Sequence, residues 1–442
     1  MNFGYNRGVS FIKKIVVLIL TWEAQLVLAR YEPKIIAITG SVGKTTTKDA
    51  IYTALSGALH VRRSEKSFNS ELGVPLTILG LENAWKNPLH WILNIVRGLW
   101  LGMRKTSYPA WLVLEVGADR PGDIHAIARW LKPDIAVITG VSEIPAHVEF
   151  FSSPEALARE KRALAECLRP SGVLIMNGDD ARMTALCEEF TERMVTYGFD
   201  KTHNFYASHH GILYEKKKPR GTRFRVHHAG AVIPVAVSHA LGKARAYSAL
   251  AAFAVGEIAG VGGERVAQAL AEWVPPPGRM RIIPGVNGST IIDDTYNSSP
   301  AAALAALDTL KELKVGAPDA RKVAILGDML ELGRYASDAH KEIGVHAVSC
   351  ADALMTVGIR SRATGEAALD AGMPEIFIRE YEHTESRRAG HELARELKKG
   401  DIVLVKGSQS MRMERAVEEL MAEPERAWEL LVRQEPEWLL KK

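Results

Sequence analysis

The sequence predicts an α/β protein, with a central domain built on a mostly parallel sheet and a smaller α/β domain after it. Three observations predict this. Ile35 to Thr39 is a short apolar run of β type that ends in Gly40-Ser41-Val42-Gly43-Lys44-Thr45-Thr46 and passes into a helix-forming segment. From Lys34 to about Gly140, apolar runs of strand length alternate with helical stretches, the pattern of a parallel sheet with crossover helices. Pro275-Pro276-Pro277-Gly278-Arg279 then breaks the chain, and further strand-and-turn units follow.

Length and composition bound the reading. The chain has 442 residues, room for two or three domains that each bury a core. Its apolar content of 47% and charged content of 24% are ordinary for a globular protein. A net charge of +4 gives no reason to expect nucleic acid as a partner. The three cysteines, Cys167, Cys187 and Cys350, are far apart and form no CxxC pair. No disulfide framework or thiolate metal site follows, and a reducing cytoplasm is expected.

In chain order, residues 1–33 form an N-terminal segment whose stretch 11–30 reads as an apolar helix. Lys13 and Lys14 ahead of Ile15 to Leu20 resemble the start of a signal peptide, but Glu23 and Gln25 interrupt the run and no small-residue cleavage site follows. A spanning helix needs about 20 mostly apolar residues, so the stretch is expected to pack on the protein or to lie on a membrane surface.

The central domain is placed at 34–274. Its first strand feeds a glycine loop that can wrap backbone N–H groups around phosphates at a helix N-terminus, where orphan donors and the helix dipole favour anions. Lys44 is expected to reach the phosphates and the Thr45 hydroxyl to ligate Mg²⁺. The strict P-loop pattern fails, because Ile38 stands where its first glycine belongs. Phe68-Asn69-Ser70-Glu71-Leu72-Gly73-Val74-Pro75 reads as a loop before another apolar segment. Residues 111–117 read as a buried strand with one carboxylate, Glu115, near its C-terminal end, where ligands of open α/β sheets bind. A lone buried carboxylate there calls for a cation or a donor, and Mg²⁺ is the expected one.

Residues 85–105 carry Trp91, Trp100 and many aliphatic residues among Arg97, Arg104 and Lys105. Such a mixture suits a membrane interface, or a helix packed on its own domain or on a second subunit. A strand from Asp134 to Thr139 leads to the His147 loop, and Ser152-Ser153-Pro154-Glu155 starts a helix that carries Lys161. A strand at 173–178 ends in Asn177-Gly178-Asp179-Asp180. Residues 203–240 read as antiparallel hairpins turning at 216–221, with His203, His209, His210, His227 and His228 as exposed strand residues rather than metal ligands. Leu241 to Gly256 reads as an alanine-rich helix. The domain at 278–442 contains strands ending in Asp293-Asp294-Thr295-Tyr296-Asn297, Gly327-Asp328-Met329 and Lys406-Gly407-Ser408, which makes it Rossmann-like.

These motifs, in this order from about Lys34 to Glu419, resemble the Mur ligase family. The shortened loop Thr39 to Thr46, Asn69 to Pro75, Glu115-Val116-Gly117-Ala118, the His147 loop, Lys161, Asn177, Gly278-Arg279 and the three C-terminal turns carry the resemblance. Asp293 to Pro300 and Gly327 to Gly333 favour its dipeptide-adding branch.

The resemblance implies ATP-dependent amide-bond formation through an acyl phosphate, with D-Ala-D-Ala added to a muramoyl-peptide precursor in peptidoglycan synthesis. It implies that Gly40 to Thr46 hold ATP and that Lys44 faces the transferring phosphoryl group. Two Mg²⁺ ions are implied, held by Thr45, Glu115, His147 and a carbamylated Lys161, with Lys44, Lys161 and His147 the catalytic set. Asn177 and Arg245 are expected at the adenine, Arg279 and Asp294 at phosphate and ribose, and Asn69, Tyr296, Asn297, Asp328 and Lys406 toward the substrate.

Two departures modify these expectations. Family members carry a sizeable N-terminal domain that holds a uridine nucleotide, whereas 34 residues precede Ile35. A separate protein or self-association is therefore an expected partner, and a lipid-linked or polymeric acyl acceptor is an alternative substrate. A non-catalytic nucleotide-binding role is the other alternative. The second departure is Gly242-Lys243-Ala244-Arg245, which stands where the family has Gly-x-His-Asn. The expected location is cytoplasmic, at the inner face of the membrane if 11–30 and 85–105 touch it.

Overall fold

The computed structural model describes residues 5–65, 68–85 and 87–439. Two compact units share the chain, which passes between them more than once. The first holds Met1–Val141, Glu155–Tyr206 and Tyr247–Ala269, and the second Ser142–Pro154, Ala207–Ala246 and Leu270–Lys442.

In the first unit the strands are β1 (Lys34–Thr39), β2 (Val61–Arg63), β3 (Trp111–Glu115), β4 (Ile135–Ile138), β5 (Val173–Asn177) and β6 (Met194–Gly198). They lie in the order β2-β3-β1-β4-β5-β6, and the pairs from β2 to β6 are all parallel. β1 is central, with Ile35, Ile36, Ala37 and Ile38 fully buried, as a strand covered on both faces requires. β1 lies between β3 and β4, so the strand order switches there and the C-terminal ends of β1 and β3 meet at one edge, with Ile38 opposite Glu115.

The helices that frame the sheet are α1 (Tyr5–Tyr31), α2 (Lys44–Ser56), α3 (Gly73–Leu79), α4 (Pro88–Met103), α5 (Asp123–Leu131) and α6 (Pro154–Glu166). α1 packs against both α3 and α4. The expected loop at Gly73-Val74-Pro75 is instead the first turn of α3, where Pro75 has no intrahelical N–H to lose. Gly73 is needed for this entry, since a Cβ would lie 2.7 Å from the Phe68 backbone.

In the second unit β8 (Lys218–His228) and β9 (Ala231–Ser238) pair antiparallel, Phe224 opposite Val235; β7 (Phe205–Glu215) precedes them. The turn before β8 is shorter than expected. Lys216 and Lys217 take it with φ of 46° and 69°, and Lys218 onward is already strand. The second sheet contains β10 (Arg281–Pro284), β11 (Thr290–Asp294), β12 (Lys322–Gly327), β13 (Ala353–Val357), β14 (Ile378–Tyr381) and β15 (Ile402–Lys406). Their order is β10-β11-β15-β12-β13-β14, parallel except for β10. Apolar cores cover both faces, one around Leu307, Leu326 and Leu404, the other around Ile325, Val405 and Met413.

Candidate active site

The glycine loop joins β1 to α2. Gly40 has φ of 147°, and a Cβ there would sit 2.0 Å from Thr139 Oγ1, so the loop crosses β4 at glycine distance. Gly43 caps α2 in the left-handed region, φ 85°, and as a glycine gives the helix no side-chain cap. A helix start without a side-chain cap, at the end of a central strand, is a ready anion site. The loop is held from outside itself: Thr139 Oγ1 donates to Val42 O at 2.6 Å and Ser41 N to Gly140 O at 2.8 Å. Lys44 Nζ donates to Gly40 O at 2.9 Å and so lies across its own loop. Thr45 and Thr46 are buried.

Glu115 ends β3 and is buried. Its Oε1 accepts from Asn69 Nδ2 at 3.0 Å, while Oε2 is buried with no hydrogen-bond partner. A buried carboxylate oxygen without a donor costs desolvation energy that a cation would return. A carboxylate and a threonine hydroxyl such as that of Thr45 are oxygen donors of the kind Mg²⁺ takes. Asn69, expected at the substrate, orients this carboxylate.

Lys161 is also buried, on α6. Burial pulls its amine down to about 7, and the Lys44 ammonium pushes in the same direction. At neutral pH much of it is therefore the uncharged amine, the form that adds CO₂ to give a carbamate. The neighbouring Glu160 accepts from Gly122 N and Ile124 N at 2.8 and 2.7 Å, which fixes α6 against the start of α5. The oxygen donors of Glu115 and Thr45 are of the type a magnesium ion takes.

Asn177, at the end of β5, donates to Thr139 O at 3.4 Å and accepts from Asp179 N at 3.1 Å. Asp179 in turn binds His203 at 3.0 Å and the Tyr247 hydroxyl at 2.8 Å, while Asp180 accepts from Val141 N. His203 is thus a half-buried loop residue rather than an exposed strand one. Of the histidines read together with it, His209 is exposed and His210, His227 and His228 are half-buried. Sequence reasoning missed Asp179, Tyr247 and Lys48. Lys48 is fully buried on α2, four residues after Lys44, and donates to Ser64 O at 2.8 Å. Its spacing from Lys44 on one helix face was the available signal.

The second unit contains the remaining expected residues. His147, at φ 68°, meets Glu331 through Nδ1 at 2.6 Å, and this bond holds the Glu331 carboxyl below its usual range. Asp294 accepts from Lys406 Nζ at 2.6 Å and from Met280 N at 3.1 Å, and Lys406 also donates to Asn297 O at 3.0 Å. Arg279 stacks on Tyr296, 3.9 Å from the ring centre. Asp328 is buried and accepts from Ser361 N at 2.8 Å. Arg245, expected at the adenine, is buried, donating to Arg279 O at 2.9 Å with its guanidinium over Trp273.

Comparison with known proteins gives these parts a family. Residues 98–256 match the Mur ligase middle domain and residues 278–409 the Mur ligase glutamate ligase domain. The UDP-N-acetylmuramoyl-tripeptide–D-alanyl-D-alanine ligase of Bacillus subtilis is 30% identical over 402 residues, 91% of this chain and 79% of the relative. The enzyme of that name from Mycobacterium tuberculosis CDC 1551 is 31% identical over 437 residues, 95% of this chain and 78% of the relative. A crystal structure of MurF ligase from Thermotoga maritima in complex with ADP has the same fold, with a TM-score of 0.73 at 23% identity over 93% of this chain and 84% of that one. The chain belongs to the Mur ligase family, whose members are ATP-dependent ligases forming C–N bonds.

Proposed function

We propose that this chain joins D-Ala-D-Ala to a UDP-muramoyl-tripeptide, consuming ATP, in the assembly of peptidoglycan. The tripeptide carboxylate attacks the γ-phosphorus of ATP, giving an acyl phosphate and ADP. The dipeptide amine then adds to the acyl carbon, and the tetrahedral intermediate expels phosphate and loses a proton. The observation that carries this reading is the uncapped start of α2, beside a β3 carboxylate oxygen that no protein group satisfies.

The chain's own groups have separate tasks. Gly40 to Thr46 present backbone donors and the helix dipole to the polyphosphate, and Lys44 swings from Gly40 O to the phosphoryl group as charge moves onto it. Thr45 and Glu115 would hold Mg²⁺ in the first unit, with Asn69 fixing the Glu115 rotamer. Lys161 would carry a carbamate, and His147, oriented by Glu331, would hold a second ion. When bound, the metal neutralises charge as the carboxylate approaches the phosphates. Asn177 serves the base and Arg279 the nucleotide. Asp294 and Lys406 set the loop that presents Tyr296 and Asn297. Asp328 lies toward the acceptor. The working domains are 34–274 and 278–442.

A second reading keeps the chemistry and changes the acceptor to a lipid-linked precursor. The outward apolar residues of α1 and α4 favour it, and they support a location at the inner face of the cytoplasmic membrane.

Purified protein with ATP, Mg²⁺, UDP-muramoyl-tripeptide and D-Ala-D-Ala should release phosphate and yield a product heavier by one dipeptide minus water. Phosphate release that needs a lipid-linked tripeptide supports the second reading. No product with either acceptor rejects both.

A further inference from the structure

α1 is apolar on both its faces, and α4 is amphipathic in the reverse of the usual sense. On α1 the inward residues are Leu20, Glu23, Ala24 and Val27, all fully buried, while Ile15, Leu18, Trp22 and Leu26 face solvent at helical spacing. On α4 the buried positions are Asn94 and Gly98, and Leu89, Ile92, Leu93, Val96, Trp100 and Met103 lie outward. Leu18 is 69% exposed, Leu89 75% and Met103 76%. Helices that show this many large apolar residues to solvent are built to be covered.

The two stripes belong to one rigid surface. Gly98 lets the helices approach, because a Cβ there would lie 2.1 Å from Glu23 Oε2. The Tyr31 hydroxyl ties their C-terminal ends, donating to Arg104 O at 2.7 Å, and the Tyr31 ring stacks on Tyr108. Asn94 donates to Glu82 O at 2.8 Å and fixes the other end of α4.

Charge selects the occupant. Pro88–Met103 contains no acidic residue, and the one acid of Tyr5–Tyr31, Glu23, is buried. The exposed charges of the described helical residues are thus all basic: Lys13, Lys14 and Arg30 on α1 and Arg97 on α4, and just beyond the helices Arg104 and Lys105 outnumber the one acid, Glu32. Lys13 alone has an ion-pair partner, Glu71 at 3.4 Å, in full solvent. A second copy docked through the same face would bring these cations together. A surface of anionic lipids matches both features, taking the tryptophans at headgroup depth and the cations at the phosphates. Neither helix crosses: α4 is 16 residues, about 24 Å at 1.5 Å per residue, short of an apolar core of about 30 Å, and no described helix has a spanning stretch.

We infer that α1 and α4 together form a monotopic docking surface, by which the ligase lies on an anionic bilayer. The inference does not rest on the ligase reading, since docking is measured without turnover. Sedimentation of the full chain with phosphatidylcholine vesicles, with and without phosphatidylglycerol, tests it. The parent should pellet with the anionic vesicles, less so at high salt and little with phosphatidylcholine alone. Trp22→Ser/Ile92→Ser/Trp100→Ser should lose binding about tenfold or more with an unchanged melting temperature, as all three side chains are outward. Lys14→Glu/Arg97→Glu should lose the preference for anionic lipid. Failure of the parent to pellet, or equal pelleting of parent and serine variant, overturns the inference. A dimer in light scattering that the serine variant abolishes, without vesicle binding, also overturns it and assigns the face to a second copy.

Discussion

The charged groups of the two units are satisfied differently. In the second unit each buried acid has a protein partner. Asp293 accepts from the Thr295 hydroxyl at 2.6 Å and from Gly278 N at 2.9 Å, and Asp294 from Lys406 at 2.6 Å. Glu414 binds Arg412 at 2.5 Å and Arg433 at 2.8 Å, and Arg433 donates on to Thr295 O at 3.1 Å. In the first unit Glu115 Oε2 has no partner, Lys161 is drawn toward neutrality by burial, and the first turn of α2 has no side-chain cap. Satisfied charges shape a loop, here the one carrying Tyr296 and Asn297. Unsatisfied ones at the C-terminal end of a central parallel strand, as at Glu115, mark where a ligand belongs.

The comparison can be broken from either side. The largest effect is expected at the unsatisfied site: Lys44→Ala should lower turnover by about a thousandfold or more, roughly 4 kcal/mol of barrier, with thermal unfolding unchanged. Phosphate release near the parent rate would remove the glycine loop from the chemistry. Next comes the satisfied network. Glu414→Ala leaves Arg412 and Arg433 buried without their carboxylate and should cost about 3–5 kcal/mol in denaturant unfolding. A loss below about 1 kcal/mol would mean these charges are solvated and the contrast is false.

A smaller effect concerns Glu23, which burial raises from 4.5 to about 7. The folded state then holds the proton more tightly than the unfolded one. This contribution is complete below pH 4.5 and is lost as pH rises through about 7. Glu23→Gln should flatten the stability profile across that window by about 1–2 kcal/mol, read from denaturant midpoints at each pH. Parallel profiles for parent and variant would place the carboxyl in water.

Local patterns made much of this legible. A fully apolar run into glycines and Lys-Thr specified β1 and α2, one acid in an apolar strand marked Glu115, and Ser-x-Pro-Glu fixed the start of α6. What stayed hidden was set by contacts distant in sequence. Arg433 reaches Thr295 across 138 residues, which no local pattern announces. Arg245 is expected at the adenine from its place in the motif, and no local pattern shows that its guanidinium is buried with Arg279 O as acceptor. The apolar residues at 11–30 and 85–105 were visible, but periodicity alone does not tell which helix face a protein covers. Burial of Glu23 and Asn94 decides it.

Lys161 gives the most direct test that the unsatisfied groups of the first unit are kept for a ligand. The parent enzyme, equilibrated with isotopically labelled bicarbonate, should show one carbamate carbon resonance that Lys161→Ala lacks. It should lose most activity when CO₂ is stripped and regain it on return, while Lys161→Ala stays inactive and melts normally. An active Lys161→Ala enzyme, with no carbamate resonance in the parent, would contradict the account, leaving Lys161 as a buried amine of the α6 core.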